Sequence, residues 1–178
     1  LLSVIVSRVS GMTFGEFAKK HIFEPLLMKN THIHDDVKSL VKNRATGYSP
    51  VKGGGFRINI YHREILGDDG VFTTVEDFLK WDQNFSNNKL GKGTRDLIDM
   101  VITPGKLNNG HRLDYAFGLV VSPYRGLRTI SHAGGWVGFR TYYLQFPDQK
   151  FSVVILSNLS SFNPGKIAYQ IADLYLQD

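Results

Sequence analysis

The sequence predicts an α+β protein, and three observations lead there. Helix start and stop signals dominate residues 1–110, strand-like apolar patterning dominates 111–157, and a last helical stripe follows Asn163-Pro164. The chain has 178 residues, 42% of them hydrophobic and 21% charged. That is an ordinary globular balance with length enough for one sizeable core, and it excludes extensive disorder. The expected organisation is a single partial domain over 1–178. Residues 1–110 form its helical and looped region, and 111–178 its antiparallel strands and closing helix.

The opening run Leu1-Leu2-Ser3-Val4-Ile5-Val6 is apolar like the core of a signal peptide, but no basic region precedes it and no small-residue cleavage site follows. It starts without methionine and reads as a buried internal helix over 1–10 whose upstream neighbours are missing, ended by a left-handed Gly11. Thr13 and Glu16 have the spacing of a capping box, and the short helix they open stops before Pro25. Residues 29–65, with Gly53-Gly54-Gly55 among them, read as loops with short extended pieces. Thr74 caps a helix in which Phe78, Leu79 and Trp81 supply the apolar contacts, and 94–102 form another short helix before Pro104-Gly105.

Strands are then predicted at 117–122, 128–131, 139–146 and 151–157. Pro147-Asp148-Gln149-Lys150 is a turn, which makes the last two strands antiparallel neighbours. The nearly continuous apolar run over 151–156 predicts a strand covered on both faces. Asn163 and Pro164 suit the N-cap and first turn of a closing helix that packs through Ile167, Ile171, Leu174 and Tyr175.

Composition narrows the function classes. The formal charge is +5, but Lys and Arg are scattered without aromatic interleaving, so no nucleic-acid partner is expected. The absence of cysteine excludes disulfides, Cys-type zinc sites and a thiol nucleophile. No stretch approaches the roughly 18–20 apolar residues of a membrane span.

The segment richest in chemistry is His132-Ala133-Gly134-Gly135-Trp136-Val137-Gly138-Phe139. It places a basic side chain at a strand end, followed by glycines that let a ligand approach the backbone and leave an N–H free to meet a developing oxyanion. Read alone, it is equally a glycine-rich connection carrying an incidental histidine.

Its surroundings add a resemblance. Leu1 to Gly11, followed by Ile22-Phe23-Glu24-Pro25-Leu26-Leu27-Met28 and Thr31, resembles a helix and following segment of the serine β-lactamase-like hydrolases. This group contains class C β-lactamases, penicillin-binding proteins, D-alanyl-D-alanine carboxypeptidases, D-aminopeptidases and related esterases. Gly67-Asp68-Asp69-Gly70-Val71-Phe72-Thr73-Thr74, with Asp77, Phe78 and Trp81, looks like that family's glycine turn and capped helix. Tyr115-Ala116-Phe117-Gly118-Leu119 matches the strand ahead of its third motif, and His132-Ala133-Gly134 the motif itself, with His where the β-lactamases proper have Lys. Phe146-Pro147-Asp148 and Val154-Ile155-Leu156-Ser157-Asn158 match its final hairpin.

The resemblance implies a partial β-lactamase/transpeptidase-like fold and hydrolysis of a small-molecule or peptide amide or ester through a serine acyl-enzyme, with no cofactor. The family's Ser-x-x-Lys and Tyr-x-Asn motifs belong ahead of the helix matched by 1–10, so the nucleophile is expected upstream and this chain alone is expected to be inactive. His132 then lines the site or shuttles a proton, and the Gly135 N–H is one oxyanion donor. Ala133 and Gly134 lie against substrate, with Ala133 lacking the hydroxyl that would bind a substrate carboxylate. Self-association, or association with an upstream fragment, is expected where the sheet is left uncovered.

Competing readings are a non-catalytic binding module of the same fold and an unrelated α+β binding protein. His32 and His34 point the same way along a strand, yet no further metal ligand is identifiable, so an exposed polar loop is the plainer reading. Asp68-Asp69-Gly70 suits a turn, and Gly53-Gly54-Gly55 a flexible connection without the Lys-Ser or Lys-Thr of a phosphate loop. Ser3, Ser7 and Ser10 have no lysine three residues on. Trp136 and Tyr142 read as packing residues before cleft residues.

Overall fold

The computed structural model describes residues 1–61 and 67–176. The chain divides into two compact units, one formed by Leu1–Arg44 with Tyr61–Leu97, the other by Ala45–Ile60 with Ile98–Asp178.

In the first unit, α1 (Leu2–Ser10) ends at Gly11 with φ 70°, whose N–H donates to Ser7 O. The Thr13 hydroxyl accepts from Glu16 N at 3.1 Å and the Glu16 carboxylate accepts from Thr13 N at 2.8 Å, closing the expected capping box on α2 (Phe14–Ala18). A π-helical turn over Lys19–Phe23 carries the chain to Pro25. β1 (His32–Ile33) pairs antiparallel with β4 (Val71–Phe72). The Thr74 hydroxyl accepts from Asp77 N and opens α3 (Val75–Ser86). Ala18, Phe23, Leu26, Met28, Ile33 and Leu90 form the core, with Trp81 and Leu97 packed on it.

One expectation fails here and another holds only in part. No residue of α1 is buried, and Leu2 (74% exposed) and Val9 (84%) face outward. Overall apolarity marks a helix that wants cover; whether cover exists is decided elsewhere in the fold. In α3, Leu79 is 52% exposed, and the inward positions are held by Asp77, Asn84 and Phe85 with half-buried Trp81. Helix phase here follows a polar anchor at its first turn, described below, and the hydropathy pattern does not show it.

In the second unit, β2 (Tyr48–Pro50) and β3 (Phe56–Ile58) form a hairpin, with all three linking glycines at positive φ. A helix, α4 (Arg95–Val101), leads from the first unit. The main sheet is an antiparallel meander in the order β5-β6-β7-β8. Its strands are β5 (Val120–Tyr124), β6 (Leu127–Trp136), β7 (Phe139–Phe146) and β8 (Phe151–Ser157), and the last two have the expected bounds. α5 (Pro164–Tyr175), capped by the Asn163 side chain on Lys166 N, covers one face. Beneath it Tyr142, Leu144 and Phe146 of β7 alternate into a cluster with Phe151, Val153 and Ile155 of β8 and with Ala168 and Ala172.

β6 runs on past the expected end at 131, because its pairing with β7 continues through Gly134↔Thr141 to Trp136↔Phe139. Glycines read as a break in sequence are here members of a ladder. The closing helix meets the sheet through Ala168 and Ala172, while Leu174 and Tyr175 are 71% and 72% exposed. Small side chains allow the helix backbone to approach the strands at Ala168 and Ala172, while Ile171 of the expected stripe packs on the same cluster and the Tyr175 ring stacks on Phe151. β8 pairs only with β7 among the described residues and carries one buried residue, Val153, while Leu156 on the opposite face is 37% exposed, so this edge strand is not covered on both faces.

The β2–β3 hairpin is fastened to the β6–β7 turn. Gly138 N donates to Asn59 O at 3.0 Å, and a Cβ on Gly138 would lie 2.5 Å from the backbone of Gly47 and Tyr48. Tyr48 N donates to Asn158 O at 2.8 Å and Asn158 Nδ2 to Thr46 O at 2.8 Å, so the residues after β8 hold the hairpin from its other side.

Candidate active site on strand β6

His132, Ala133, Gly134 and Gly135 all lie within β6, not at its end. Successive residues of a strand face opposite ways. Cross-strand pairing sets His132 beside Tyr143 and Gly134 beside Thr141, whereas Ala133 is beside Tyr142 and Gly135 beside Arg140. Tyr142 belongs to the cluster under α5, so His132 and Ala133 project from opposite faces of the sheet. The four candidates therefore share a strand edge but not one face.

That edge is open. β5 pairs with β6 only as far as Val120↔Ser131, while β7 accompanies β6 to Trp136. Over 132–135 the β5 side of the strand has no ladder partner among the described residues. An unpaired edge offers alternate N–H and C=O groups to a ligand. A Cβ at 134 would meet Thr141 Oγ1, so a side chain there would oblige that hydroxyl to turn aside. At 135 a Cβ would meet the Arg140 side chain only at 3.7 Å, so this glycine leaves room. Arg140 is tied down by its Nη1, which donates to Val137 O at 3.1 Å and Phe139 O at 2.6 Å.

One site neighbour was not legible in the sequence as a contact. The Tyr115 hydroxyl lies 3.0 Å from His132 Nε2, with the ring centroids 5.9 Å apart. Tyr115 opens the stretch Tyr115-Ala116-Phe117-Gly118-Leu119 singled out for its resemblance, yet a separation of 17 residues carries no signal of the bond. An exposed imidazole held by a phenol can take or give a proton, and it stands beside an open backbone edge. This is the chemistry the segment can supply.

The other candidates take plainer roles. The Ser7 hydroxyl donates to Ser3 O, and Ser10 Oγ accepts from Met12 N. Three Ser-x-x-Lys spacings occur, Ser39-Leu40-Val41-Lys42, Ser49-Pro50-Val51-Lys52 and Ser86-Asn87-Asn88-Lys89. The first lies on bends and turns, with Ser39 Oγ donating to Asp36 O, the second begins in β2, where Ser49 Oγ accepts from Asn59 Nδ2, and the third straddles the end of α3. That spacing brings serine and lysine together within a helix, and none of the three lies within one. Tyr142 packs against Tyr169, whose phenol is pushed up to about 12 by burial and by its hydrogen bond with Tyr142.

His34 is buried, 7% exposed, and is not part of an exposed loop. Its ring stacks on Phe72 at 4.5 Å, with Arg44 over the same phenyl ring at 4.9 Å. Neither ring nitrogen has a hydrogen-bond partner among the described residues, and no group of three or more potential metal ligands is gathered among them. Burial, then Arg44 and His32, lower the tendency of His34 to protonate, against a smaller opposing pull from Asp36 and Asp35. The fold therefore favours neutral His34, and its contribution is present above the ordinary imidazole value of 6.5 and lost as pH falls below it. The thermal midpoint of the wild type is expected to drop between pH 7.5 and 5.5 by more than that of His34→Phe. Parallel curves would remove His34 as the cause.

The Beta-lactamase family model matches residues 1–176. Penicillin-binding protein 4* of Bacillus subtilis (strain 168) is 31% identical over 173 residues, covering 89% of this chain and 38% of that protein. A D-aminopeptidase of Brucella ovis is 24% identical over 158 residues, covering 89% of this chain and 30% of the other. The chain thus spans well under half the length of these curated relatives. Among solved structures, the octameric penicillin-binding protein homologue from Pyrococcus abyssi superposes with a TM-score of 0.83 at 26% identity, over 98% of this chain and 40% of its own. A class C beta-lactamase superposes at 0.75 with 20% identity, over 99% of this chain and 55% of its own, a likeness of fold. The architecture is that of the β-lactamase and penicillin-binding-protein fold, and the chain belongs to the beta-lactamase family.

Proposed function

We propose that this chain is the C-terminal portion of a serine hydrolase that cleaves an amide or ester, such as a β-lactam, a D-amino-acid peptide or a simple ester. The nucleophile would come from sequence outside residues 1–178. The observation that carries this reading is His132 beside an unpaired, glycine-bearing strand edge in a chain of this family. In the complete site a serine Oγ attacks the carbonyl carbon and the carbonyl π electrons move to oxygen. Collapse expels the amine or alcohol with a proton and leaves an acyl-enzyme, which water then hydrolyses. The Gly135 N–H is assigned as one donor to the oxyanion and His132 as an electrostatic or proton-shuttling group, with Ala133 and Gly134 forming the wall against substrate. No cofactor is needed for these steps. The open edge of β6 and the outward apolar face of α1 also favour association, with a second copy or with the upstream segment.

Residues 1–178 alone are expected to show no turnover of a chromogenic ester and no labelling by a fluorophosphonate. Stoichiometric serine labelling with steady turnover would overturn the assignment of the nucleophile. In the complete protein, His132→Ala is expected to slow acylation by about a hundredfold or more while leaving the fold intact. Unchanged acylation kinetics would take His132 out of the site. A complete protein that binds such compounds but never acylates would favour the non-catalytic module.

A further inference from the structure

Tyr115 is built into position before its side chain is considered. Its carbonyl accepts from Gly105 N at 2.9 Å, and it forms an isolated antiparallel bridge with Val120. On either side Val121 N donates to Asp114 O at 2.7 Å and Ala116 N to Leu119 O at 2.7 Å, with Gly118 at φ 72° turning the chain between them. Val120 pairs with Ser131 on one side and with Tyr115 on the other, so the Tyr115 backbone lies across β5 from β6. From there its hydroxyl reaches past the start of β5 to His132, the first residue of β6 beyond that pairing.

The partners have unequal chemistry. A phenol is a better hydrogen-bond donor than a neutral imidazole N–H, and a neutral imidazole has one nitrogen that only accepts. At 3.0 Å from Nε2, the favoured arrangement of the neutral pair is O–H donating to Nε2, which leaves the ring proton on Nδ1. If the ring gains a proton at Nε2, that N–H donates to the phenol oxygen, whose own proton turns outward. The contact survives both states, and the imidazole keeps its orientation as its charge changes.

We propose that Tyr115 is a positioning residue that holds the His132 side chain by its Nε2 and selects the tautomer protonated at Nδ1. Its catalytic consequence rests on the serine-hydrolase reading; its structural consequence does not. Where relatives with lysine present a donor, a histidine held in this way presents a single, defined donor.

The test uses the complete protein with labelled histidine, His132 being assigned by its loss in His132→Gln. Long-range proton–nitrogen correlations at alkaline pH are expected to show the proton on Nδ1 in the wild type. In Tyr115→Phe, which retains an exposed ring and so the packing, the Nε2–H form favoured by free histidine should rise. Acylation in that variant should fall roughly tenfold to a hundredfold with little change in KM, and its pH profile should shift. An Nε2–H ring in the wild type, which is read without any substitution, overturns the proposal, as does an unchanged tautomer in Tyr115→Phe. A tautomer that responds in a protein that never acylates upholds the positioning role and discards the hydrolase reading. Acylation with a tautomer that does not respond does the reverse.

Discussion

Asp77→Ala is expected to destabilise the first unit by about 3–5 kcal/mol, the cost of leaving a buried ionic cluster without its centre. The Asp77 side chain has no solvent exposure. Its Oδ2 accepts from Asn30 N at 2.6 Å and Thr31 Oγ1 at 2.9 Å, and its Oδ1 accepts from Lys80 Nζ at 2.7 Å. Lys80 also donates to Leu27 O at 2.6 Å, and Thr31 Oγ1 is 2.8 Å from Thr73 Oγ1. The carboxylate thus joins the first turn of α3 to the segment ahead of β1 and to the end of β4. Alanine would leave the Thr31 hydroxyl and the Asn30 N–H without their acceptor, while Lys80, with its side chain 35% exposed, turns to water, and native proteins have only about 5–15 kcal/mol in reserve.

Burial alone would raise the Asp77 carboxyl, but the hydrogen bonds from Lys80, Asn30 and Thr31 outweigh it and hold it below the ordinary value of 3.8. A depressed carboxylate contributes its stability in full above that ordinary value and loses it as pH falls below. Urea unfolding at pH 7 should show the large loss in the variant, and the difference from wild type should shrink in the most acidic range where the wild type still folds. A midpoint unchanged at pH 7 would mean that Asp77 is not the joint of this unit.

Residues 1–178 are expected to elute from size exclusion as a species heavier than the 20.1 kDa monomer at micromolar concentration. On α1, Leu2 and Val9 are 74% and 84% exposed, and Val4 and Ile5 are about half exposed at 48% and 46%. A patch of this kind seeks cover, and burying it returns about 25 cal/mol for each Å² removed from water. Leu2→Lys with Val9→Lys should restore the monomer, and adding the upstream segment of the complete protein should displace the self-contact in the unsubstituted chain. Light scattering that reports a well-folded monomer indifferent to that segment would sink the idea.

What could be read from the residues alone was local. The capping box at Thr13, the Thr74 cap, the left-handed Gly11, the turn at 147–150 and the Asn163 cap each involve groups a few residues apart. A neighbouring hydroxyl or carboxylate satisfies a helix-end donor whatever the rest of the chain does, so short spacing suffices to predict it. The bounds of β7 and β8 were legible for a similar reason, since a turn signal separates two apolar runs. The identity of the β6 segment came from resemblance in an ordered set of motifs, which no single spacing conveys.

The tertiary structure decided which faces and edges are used. β6 continues through its glycines because β7 is there to pair with it, and α5 buries Ala168 and Ala172 most deeply because they face the strands. Asp77 became buried, and His34 with it, because partners distant in sequence close around them. His132 and Ala133 part to opposite faces by the period of the strand, and Tyr115 reaches His132 because β5 ends one position short of it. Each of these depends on contacts between segments far apart in the chain. Their energy depends on spatial neighbours, whereas a sequence pattern records only neighbours along the chain.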